Sequence, residues 1–360
     1  MAIVLNSPLA PNLVKLNHYL KQVNNSGWYT NFGPLHQELT SRLEEYLGVK
    51  NLLLVSNGTL ALQIACKVLG ITNAITTPFS FVATTSALLW QNINTQFCDI
   101  DSKSYNLSPQ KTEKALQGDP SINGVVATHV YGNPCDVDAF EQLSKQYTTK
   151  VLYDAAHAFG INVNGESVLN FGDASTLSFH ATKVFHTVEG GAIVFKHRAD
   201  YEKAKQLINF GLNNGEITDV GINAKLNEYQ CAVGLTLLDD IDQVINHRSE
   251  LFSAYLLQLK HVVETPKWHG QANTNGAYFP IKLQNDKQLE KIRTVLTNNE
   301  IQYRSYFKPS LDIAFPRVKS NGVETSTNIA EKILCLPLHY NMGTQEVDFV
   351  ASLIKQELSD

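Results

Sequence analysis

Short apolar runs alternate with amphipathic segments between about residues 51 and 198 of this 360-residue chain. Five of the runs are typical of buried strands: NLLLVSN, AITTPF, TQFCDID, INGVVATHV and KVLYDAAH. The segments between them have helical periodicity, as in DVDAFEQLSKQY, where Phe140, Leu143 and Tyr147 fall on one face. This alternation predicts an α/β domain with a mainly parallel sheet. Two later runs, STLSFHATK and GGAIVFK, are joined by a short connection and favour an antiparallel pair in the same sheet.

The pattern changes after about residue 235, where the elements become fewer. Two helical segments, HRSELFSAYLLQL and KQLEKIRTVLTNN, are interspersed with the strand-like runs YFPIKL, IQYRSYF and ILCLPL. A final amphipathic helix carries an apolar stripe formed by Val347, Val350, Ile354 and Leu358. We therefore predict a large domain at residues 1–235, including the N-terminal segment, and a smaller α+β domain at residues 236–360.

Charge and cysteine content narrow the possible functions. The chain has 29 basic and 34 acidic residues and a formal net charge of -5, so it lacks the basic surface that a nucleic-acid partner requires. Its five cysteines are scattered without a CxxC spacing, which is typical of thiols kept reduced in a cytosol. The most apolar stretch, Leu52 to Leu69, is interrupted by polar residues, and the N-terminus lacks a basic leader. We expect a cytoplasmic protein with no metal site, no membrane span and no nucleic-acid partner.

The segment Ser56-Asn57-Gly58-Thr59 lies between a predicted strand and a predicted helix. Such a position is where open α/β sheets form ligand sites. Free backbone N–H groups and the Thr59 hydroxyl would point at an anion such as a phosphate. The alternative is an ordinary tight turn in which Thr59 only caps the helix.

Asp154 follows an apolar strand in KVLYDAAHAFG, and His157 comes three residues later. A carboxylate there can keep a proton on a heteroaromatic nitrogen, because its charge stabilises the cationic form of its partner. The alternative is an aspartate that caps the next turn and a histidine that is satisfied by backbone groups.

Lys183 lies in LSFHATKVFHTVEGGAIVF among small, aromatic and apolar residues rather than in a run of charges. Desolvation lowers the pKa of an amine and leaves a nucleophilic nitrogen that can form a Schiff base. The alternative is an exposed lysine without a special role. The following Glu189-Gly190-Gly191 strengthens the first interpretation, since glycines permit sharp turns close to a ligand.

A phosphate cradle, an acid for a ring nitrogen and a nucleophilic lysine are the three partners that pyridoxal phosphate needs. The chain also resembles the DegT/DnrJ/EryC1/StrS family of sugar aminotransferases over nearly its whole length. The resemblance rests on SGWYTNFGP, SNGTLAL, PFSFVAT, HVYGNPCDV, DAAHAFG, SFHATK, EGGA, GINAKLNEYQCAVGL and CLPLHY, in that order. It implies the α/β fold of fold-type-I pyridoxal-phosphate enzymes, with a mainly parallel seven-stranded sheet flanked by helices and a smaller C-terminal α+β domain.

The resemblance also implies roles for individual residues around pyridoxal 5'-phosphate. Lys183 matches the lysine that binds the cofactor covalently, and Asp154 matches the acid paired with its ring nitrogen. His157 lies where the family places a polar group on the phenolic oxygen, and Phe81 where an aromatic ring stacks on the pyridine, although Phe81 could also belong to the core. The matches to phosphate ligands are Gly58, Thr59 and Ser178, with Asn223 reaching from the partner subunit.

A homodimer with composite active sites is therefore implied. Substrate-contacting loops are matched by two groups of residues, namely Trp28, Thr30, Asn31 and Gly33, and Arg304, Tyr306 and His339. For Trp28, a place in a domain interface is an equally good interpretation.

The activity implied is transfer of an amino group from L-glutamate to a keto sugar through Lys183. The segments HVYGNPCDV, DAAHAFG, FHATKVFHTVEGGAI and GINAKLNEY resemble the branch that acts at C4 of dTDP-4-keto-6-deoxy-D-glucose for surface polysaccharide synthesis. Amination at C3 or of a UDP-linked sugar is the alternative. A dehydratase of this family would carry histidine in place of Lys183, and a non-catalytic sugar-nucleotide-binding protein would be expected to lose Asp154 or Lys183.

Overall fold

The structure is a computed structural model and describes residues 2–359. These residues form thirteen α-helices, named α1 to α13 in chain order: Leu13–Ser26, Pro34–Leu47, Gly58–Leu69, Val82–Trp90, Pro109–Gly118, Val137–Tyr147, Arg198–Leu207, Glu228–Leu238, Ile241–Leu259, Asp286–Asn298, Leu311–Ala314, Glu324–Lys332 and Thr344–Ser359. The same residues form fourteen β-strands, named β1 to β14: Leu52–Val55, Asn73–Thr76, Asn94–Phe97, Gly124–Thr128, Lys150–Asp154, Asn162–Val163, Glu166–Ser167, Ala174–Ser178, Gly191–Phe195, Leu212–Asn213, Glu216–Ile217, Phe279–Lys282, Lys319–Ser320 and Ile333–Leu336.

The main sheet has the strand order β1-β9-β8-β5-β4-β2-β3-β13. β9 runs antiparallel to both of its neighbours, β1 and β8, and the other neighbouring pairs are parallel. The predicted α/β class is therefore confirmed, as is the antiparallel pair formed by β8 and β9. The sheet has eight strands rather than the expected seven, because the two-residue strand β13 from the C-terminal part pairs with the edge strand β3.

Helices cover both faces of this sheet. In β1, Leu52 and Leu54 pack into one apolar cluster, and the alternate residues Leu53 and Val55 pack into another. The first cluster includes side chains from α2 and α8, and the second includes side chains from α3 and α7. A strand that is buried on both faces has apolar residues at every position, which explains why LLLV does not alternate between apolar and polar residues.

The C-terminal part has its own small sheet, in which β12 and β14 are antiparallel. The final helix α13 packs on α9 and buries Val347, Val350 and Ile354, while Leu358 is partly buried. The strand predicted for IQYRSYF is wrong. Ile301 forms an isolated bridge with Ile3, whereas Arg304 bridges to Cys335, so the segment changes partner before a ladder can form. The predicted domain division between residues 235 and 236 falls within α8 and stays a prediction.

Three structural findings concern membranes, metals and thiols. No helix among residues 2–359 is long and apolar enough to cross a membrane. Within the same described range, no group of three or more His, Cys, Asp or Glu side chains is placed to hold a metal ion. The five cysteines, all in the part of the chain that the structure describes, are buried and free.

Candidate active site

A cavity of about 340 Å³ lies where the strands β4, β5 and β8 end. Ligand sites of open α/β sheets form at this edge, because the loops that follow parallel strands meet there. Eight of the residues predicted for the site line the cavity: Gly58, Thr59, Phe81, Asp154, His157, Ser178, Lys183 and Tyr306. The fold thus brings together residues that are up to 248 positions apart in the chain.

The first turn of α3 forms one end of the cavity. The Asn57 side chain caps this helix by accepting a hydrogen bond from the Leu60 N–H at 2.9 Å. A β-carbon on Gly58 would lie 3.0 Å from Cβ of Ser178, which is closer than most such contacts, so glycine suits the close approach of β8 to the helix. The N–H groups of a first helical turn have no partner within the helix. They leave a positive end to the cavity that suits an anion.

Asp154 ends β5 at the base of the cavity. Its Oδ2 accepts a hydrogen bond from Thr84 Oγ1 at 2.6 Å, and its Oδ1 accepts one from the Ala156 N–H at 3.1 Å. Burial raises the pKa of this carboxyl, while those two hydrogen bonds and the nearby Lys183 amine oppose the rise. A buried carboxylate held by two donors can pair with a cationic ring nitrogen on a ligand.

Lys183 lies on the loop of residues 179–190 that joins β8 to β9. Its backbone N–H donates to the carbonyl of His180 at 2.9 Å, which makes a tight turn. Burial lowers the pKa of Lys183 to about 8, and the Asp154 carboxylate opposes this shift. The amine therefore spends more time neutral and nucleophilic near pH 7 than an ordinary lysine does.

His157 lines the cavity and is buried. Its Nδ1 has no hydrogen-bond partner among the described residues. The ring lies parallel to Phe307 with centroids 6.1 Å apart, and edge-on to Tyr278 at 4.7 Å. Burial and the Lys183 cation hold the pKa of His157 well below its usual range, so the ring is neutral. A neutral imidazole with a free buried nitrogen suits a polar group on a ligand.

Phe81 stands at the mouth of the cavity, at the residue that precedes α4. Its side chain is 53% exposed, unlike the neighbouring Phe79, which is fully buried. The core alternative for Phe81 is thus excluded, and its ring is available to a ligand.

Thr84, Tyr278 and Phe307 are site residues that the sequence analysis missed. Thr84 holds Asp154 from the first turns of α4, and the other two complete the aromatic side of the cavity from the C-terminal part of the chain. An apolar helix that carries two adjacent threonines after a predicted strand was a usable signal for Thr84. We find no local motif that marks Tyr278 or Phe307.

Asn223 does not line the cavity and is exposed. It forms an isolated bridge with Asn209, and the next residue, Ala224, accepts a hydrogen bond from the Ser56 N–H at 2.9 Å. Lys225 donates to Asn209 Oδ1 at 2.7 Å. This segment is therefore tied to the start of the anion-binding turn but faces outward in the single chain.

The residues predicted from Trp28 to Gly33 also lie outside the cavity of the single chain. Trp28 is half exposed, and its indole N–H donates to the Asn31 carbonyl at 2.9 Å. A β-carbon on Gly33 would lie 2.5 Å from the Trp28 ring, so glycine is required there. Thr30 is exposed beside them. Trp28 and Thr30 lie on the surface just before α2, whereas Gly33 is buried at the N-cap of that helix.

The three residues predicted from the C-terminal part have different positions. Tyr306 lines the cavity, and its backbone carbonyl accepts a hydrogen bond from the Tyr131 hydroxyl. Arg304 is exposed, with its guanidinium 6.0 Å from the centre of the Tyr306 ring. His339 is buried and does not line the cavity. Tyr306 is the one of these three that can meet a ligand in the cavity as the structure has it.

Known proteins resemble this chain along nearly its full length. The profile of the DegT/DnrJ/EryC1/StrS aminotransferase family matches residues 14–355. The dTDP-4-amino-4,6-dideoxy-D-glucose transaminase of Shigella dysenteriae is 38% identical over 98% of this chain and 98% of its own. The transaminase of that name from Escherichia coli is 33% identical, with the same coverage of both chains. The crystal structure of DesI in the presence of its TDP-sugar product superposes with a TM-score of 0.92 at 28% identity, covering 99% of this chain and 92% of DesI.

Pyridoxal 5'-phosphate, the cofactor of this family, fits the residues present. The first turn of α3 offers free N–H groups to a phosphate, and Gly58 leaves the space that a side chain would fill. The orphaned Nδ1 of His157 offers a partner to a polar ring substituent, and Asp154 a partner to a ring nitrogen. Lys183 supplies a primary amine whose pKa is lowered by burial. The chain belongs to the DegT/DnrJ/EryC1/StrS aminotransferase family and is a pyridoxal-phosphate-dependent enzyme.

Proposed function

We propose that this enzyme transfers the amino group of L-glutamate to C4 of dTDP-4-keto-6-deoxy-D-glucose, giving dTDP-4-amino-4,6-dideoxy-D-glucose. The observation that carries the amino transfer is the convergence of Lys183, Asp154 and the first turn of α3 on one cavity. The choice of sugar is supported by the two transaminases of that name, which are 38% and 33% identical to this chain. The product would serve surface polysaccharide (O-antigen) synthesis in the cytoplasm.

Each residue at the base of the cavity has a distinct task in this proposal. The bound cofactor supplies an electron-withdrawing ring that stabilises negative charge on the substrate carbon. Asp154 would hold a proton on the ring nitrogen, and His157 Nδ1 would form a hydrogen bond with the phenolic oxygen. Lys183 Nζ would hold the cofactor and, when free, would take the proton from the donor carbon that bears the amino group and pass it to the cofactor. In the second half of the cycle, Lys183 Nζ would deliver a proton to C4 of the acceptor sugar.

In this proposal Gly58, Thr59 and Ser178 would hold the phosphate, and Phe81 would contact the ring. The described residues that line the cavity include no arginine, and no lysine other than Lys183. A phosphate dianion needs further donors, because charge-assisted hydrogen bonds hold such groups most strongly. We therefore assign Asn223 of the partner subunit to the phosphate.

A homodimer with composite active sites follows from that assignment. The segment of residues 210–222 supports it by exposing large apolar side chains: Phe210 at 50%, Ile217 at 80%, Val220 at 82% and Ile222 at 40%. Exposed apolar patches of this kind mark protein interfaces. The same assembly would bring Trp28, Thr30, Asn31 and Gly33 towards a cavity, where they would contact the sugar nucleotide together with Arg304, Tyr306 and His339.

The composite site can be tested by mixing two defective variants. Lys183→Ala removes the reacting amine, and Asn223→Asp places a negative charge against the phosphate. In randomly mixed dimers about half of the molecules carry both chains, and each of these holds one site with both lesions and one intact site. We expect activity near a quarter of the wild-type value. A mixture no more active than its two components would overturn the composite site.

The alternative acceptors are less well supported. A UDP-4-amino-4,6-dideoxy-N-acetyl-beta-L-altrosamine transaminase from Campylobacter jejuni is 28% identical over 87% of this chain, below the two dTDP-sugar enzymes. Lys183 stands where a dehydratase of this family would carry histidine.

The substrate proposal is tested by incubating the purified enzyme with pyridoxal 5'-phosphate, L-glutamate and dTDP-4-keto-6-deoxy-D-glucose. NMR of the product should show nitrogen at C4 of the sugar. A parallel reaction with the UDP-linked keto sugar should be much slower. Nitrogen at C3, or a preference for the UDP sugar, would contradict the proposal.

A further inference from the structure

The N-terminal segment of residues 3–9, which we call the N-terminal strap, is anchored on the C-terminal part of the chain. Its Ile3 carbonyl accepts a hydrogen bond from the Gln302 N–H at 2.8 Å, and its Leu5 carbonyl accepts one from the Leu338 N–H at 3.3 Å. Ser7 Oγ accepts a third from the Asn341 side chain at 2.9 Å. These bonds fix one side of the strap to the small-sheet region.

The other side of the strap bonds the loop that carries Lys183. Asn6 Nδ2 donates to the Thr182 carbonyl at 2.7 Å. His186 Nε2 lies 2.9 Å from the Leu9 carbonyl, and its Nδ1 accepts from the Val188 N–H. Because Nδ1 is an acceptor, the proton is on Nε2, which therefore donates to Leu9. The two bonds fall immediately before Lys183 and three residues after it.

The Asn6 bond has a specific consequence for Lys183. The Thr182 carbonyl and the Lys183 N–H belong to one peptide unit, which is planar and rigid. Asn6 holds the oxygen of this unit, and the His180 carbonyl holds its N–H at 2.9 Å. With both polar ends bonded, rotation of this plane is restrained, and so is the direction in which the Lys183 side chain leaves the backbone.

The stem of the loop is secured without the strap. Phe179 donates its N–H to the Gly190 carbonyl at 2.8 Å, and Thr187 donates its N–H to the Phe179 carbonyl at 3.0 Å. The strap therefore acts on the part of the loop that contains Thr182 and Lys183, where the stem bonds do not reach.

We propose that Asn6 and His186 are positioning residues that set the location of the Lys183 amine and couple it to the C-terminal part of the chain. The proposal rests on the function proposed for Lys183. His186 is buried and Asn6 is partly buried, and neither side chain takes part in the proposed reaction itself.

The test compares Asn6→Ala and Asn6→Asp with Ser7→Ala as the matched control. Ser7→Ala removes a bond of the same strap to Asn341 but none to the Lys183 loop. Asn6→Asp removes the donor and sets a carboxylate against the Thr182 carbonyl. Asn6→Gln keeps an amide donor and should recover part of the loss.

Three measurements distinguish positioning from general stabilisation. In cofactor-free protein, Asn6→Ala and Asn6→Asp should speed hydrogen exchange in peptides that cover residues 180–190, and Ser7→Ala should not. In the loaded enzyme, the pH midpoint of the lysine-bound cofactor absorbance should shift in both Asn6 variants. Their kcat should fall about tenfold or more, since small misplacements of a reacting group are costly, with KM for the sugar nearly unchanged.

Equal exchange, midpoint and kcat in Asn6→Ala and Ser7→Ala would overturn the positioning role. His186→Ala provides a second approach to the same loop and should also speed exchange at residues 180–190. The exchange measurement needs neither cofactor nor substrate. If wild-type protein failed to bind pyridoxal 5'-phosphate through Lys183, the proposed function would fall, while the exchange data would still decide whether the strap orders the loop.

Discussion

Two parts of the cavity are formed by residues from different regions of the fold. The floor, where β1, β5 and β8 end, consists of Gly58, Thr59, Asp154 and Ser178. The wall, which comes from the C-terminal part of the chain, consists of Tyr278, Tyr306 and Phe307. Floor residues follow apolar strands in the sequence, and parallel strands bring their ends to one edge. Wall residues reach the cavity because they pack in an apolar cluster that both parts of the chain share, with Phe79 and Tyr131 from the first part.

The two parts also differ in chemistry. The floor holds a carboxylate, a helix N-terminus and, on the adjoining loop, an amine with a lowered pKa. The wall is aromatic, with the Phe307 ring parallel to the rings of both His157 and Tyr131. We infer that the floor performs the reaction and that the wall shapes the space for the sugar. Substitutions in the floor should therefore lower kcat, and those in the wall should raise KM.

The largest effect is expected for Lys183→Ala. Loss of the amine removes both the covalent anchor of the cofactor and the proton-transfer group, so kcat should fall by about 10⁴-fold. Single-turnover assays with pre-bound cofactor measure this loss. Lys183→Arg should be equally inactive, since a guanidinium stays protonated. An active Lys183→Arg enzyme would contradict the role of the amine.

Asp154→Asn should have the next largest effect. The amide cannot hold a proton on a ring nitrogen by charge, and we expect kcat to fall about 10²- to 10³-fold. Thr84→Val keeps the carboxylate but removes its 2.6 Å hydrogen bond, so its effect on kcat should be several-fold. Steady-state kinetics of both variants should give that order. Equal losses would show that the charge of Asp154 is not what matters.

The rate at which cofactor-free enzyme captures pyridoxal 5'-phosphate should depend on pH through Lys183. Only the neutral amine reacts, and the pKa of Lys183 is about 8. The rate should rise about tenfold from pH 7 and level off above pH 9, because the amine is then fully deprotonated. Stopped-flow absorbance measures the rate. A rise that continues to pH 10.5 would indicate an ordinary, solvated lysine.

The wall should give a smaller effect of a different kind. Phe307→Leu removes the ring that lies parallel to His157, and we expect KM for the sugar nucleotide to rise about three- to tenfold with kcat nearly unchanged. Phe349→Leu makes the same change on an exposed position of α13 and should leave both constants unaltered. A fall in kcat for Phe307→Leu without a change in KM would assign the wall to the chemistry.

The floor residues could be predicted from the sequence because each lies at, or just after, the end of a buried strand. Asp154 and the Ser56–Thr59 turn needed only the recognition of buried strands. The other features could not be predicted because they depend on packing between residues that are far apart in the sequence. β13 joins the main sheet from more than 200 residues away, and Ile301 and Arg304 bridge to different partners where a strand was expected. Asn223, Trp28 and Thr30 are exposed in the single chain, and the roles proposed for them would require a second copy.

We expect Lys183 to bind the cofactor covalently beside Asp154. The direct measurement is borohydride reduction of the holoenzyme, followed by proteolysis and mass spectrometry of the modified peptide. We predict a single pyridoxyl modification on Lys183, absent from Lys183→Ala. Modification of another lysine, or none in protein saturated with pyridoxal 5'-phosphate, would contradict it.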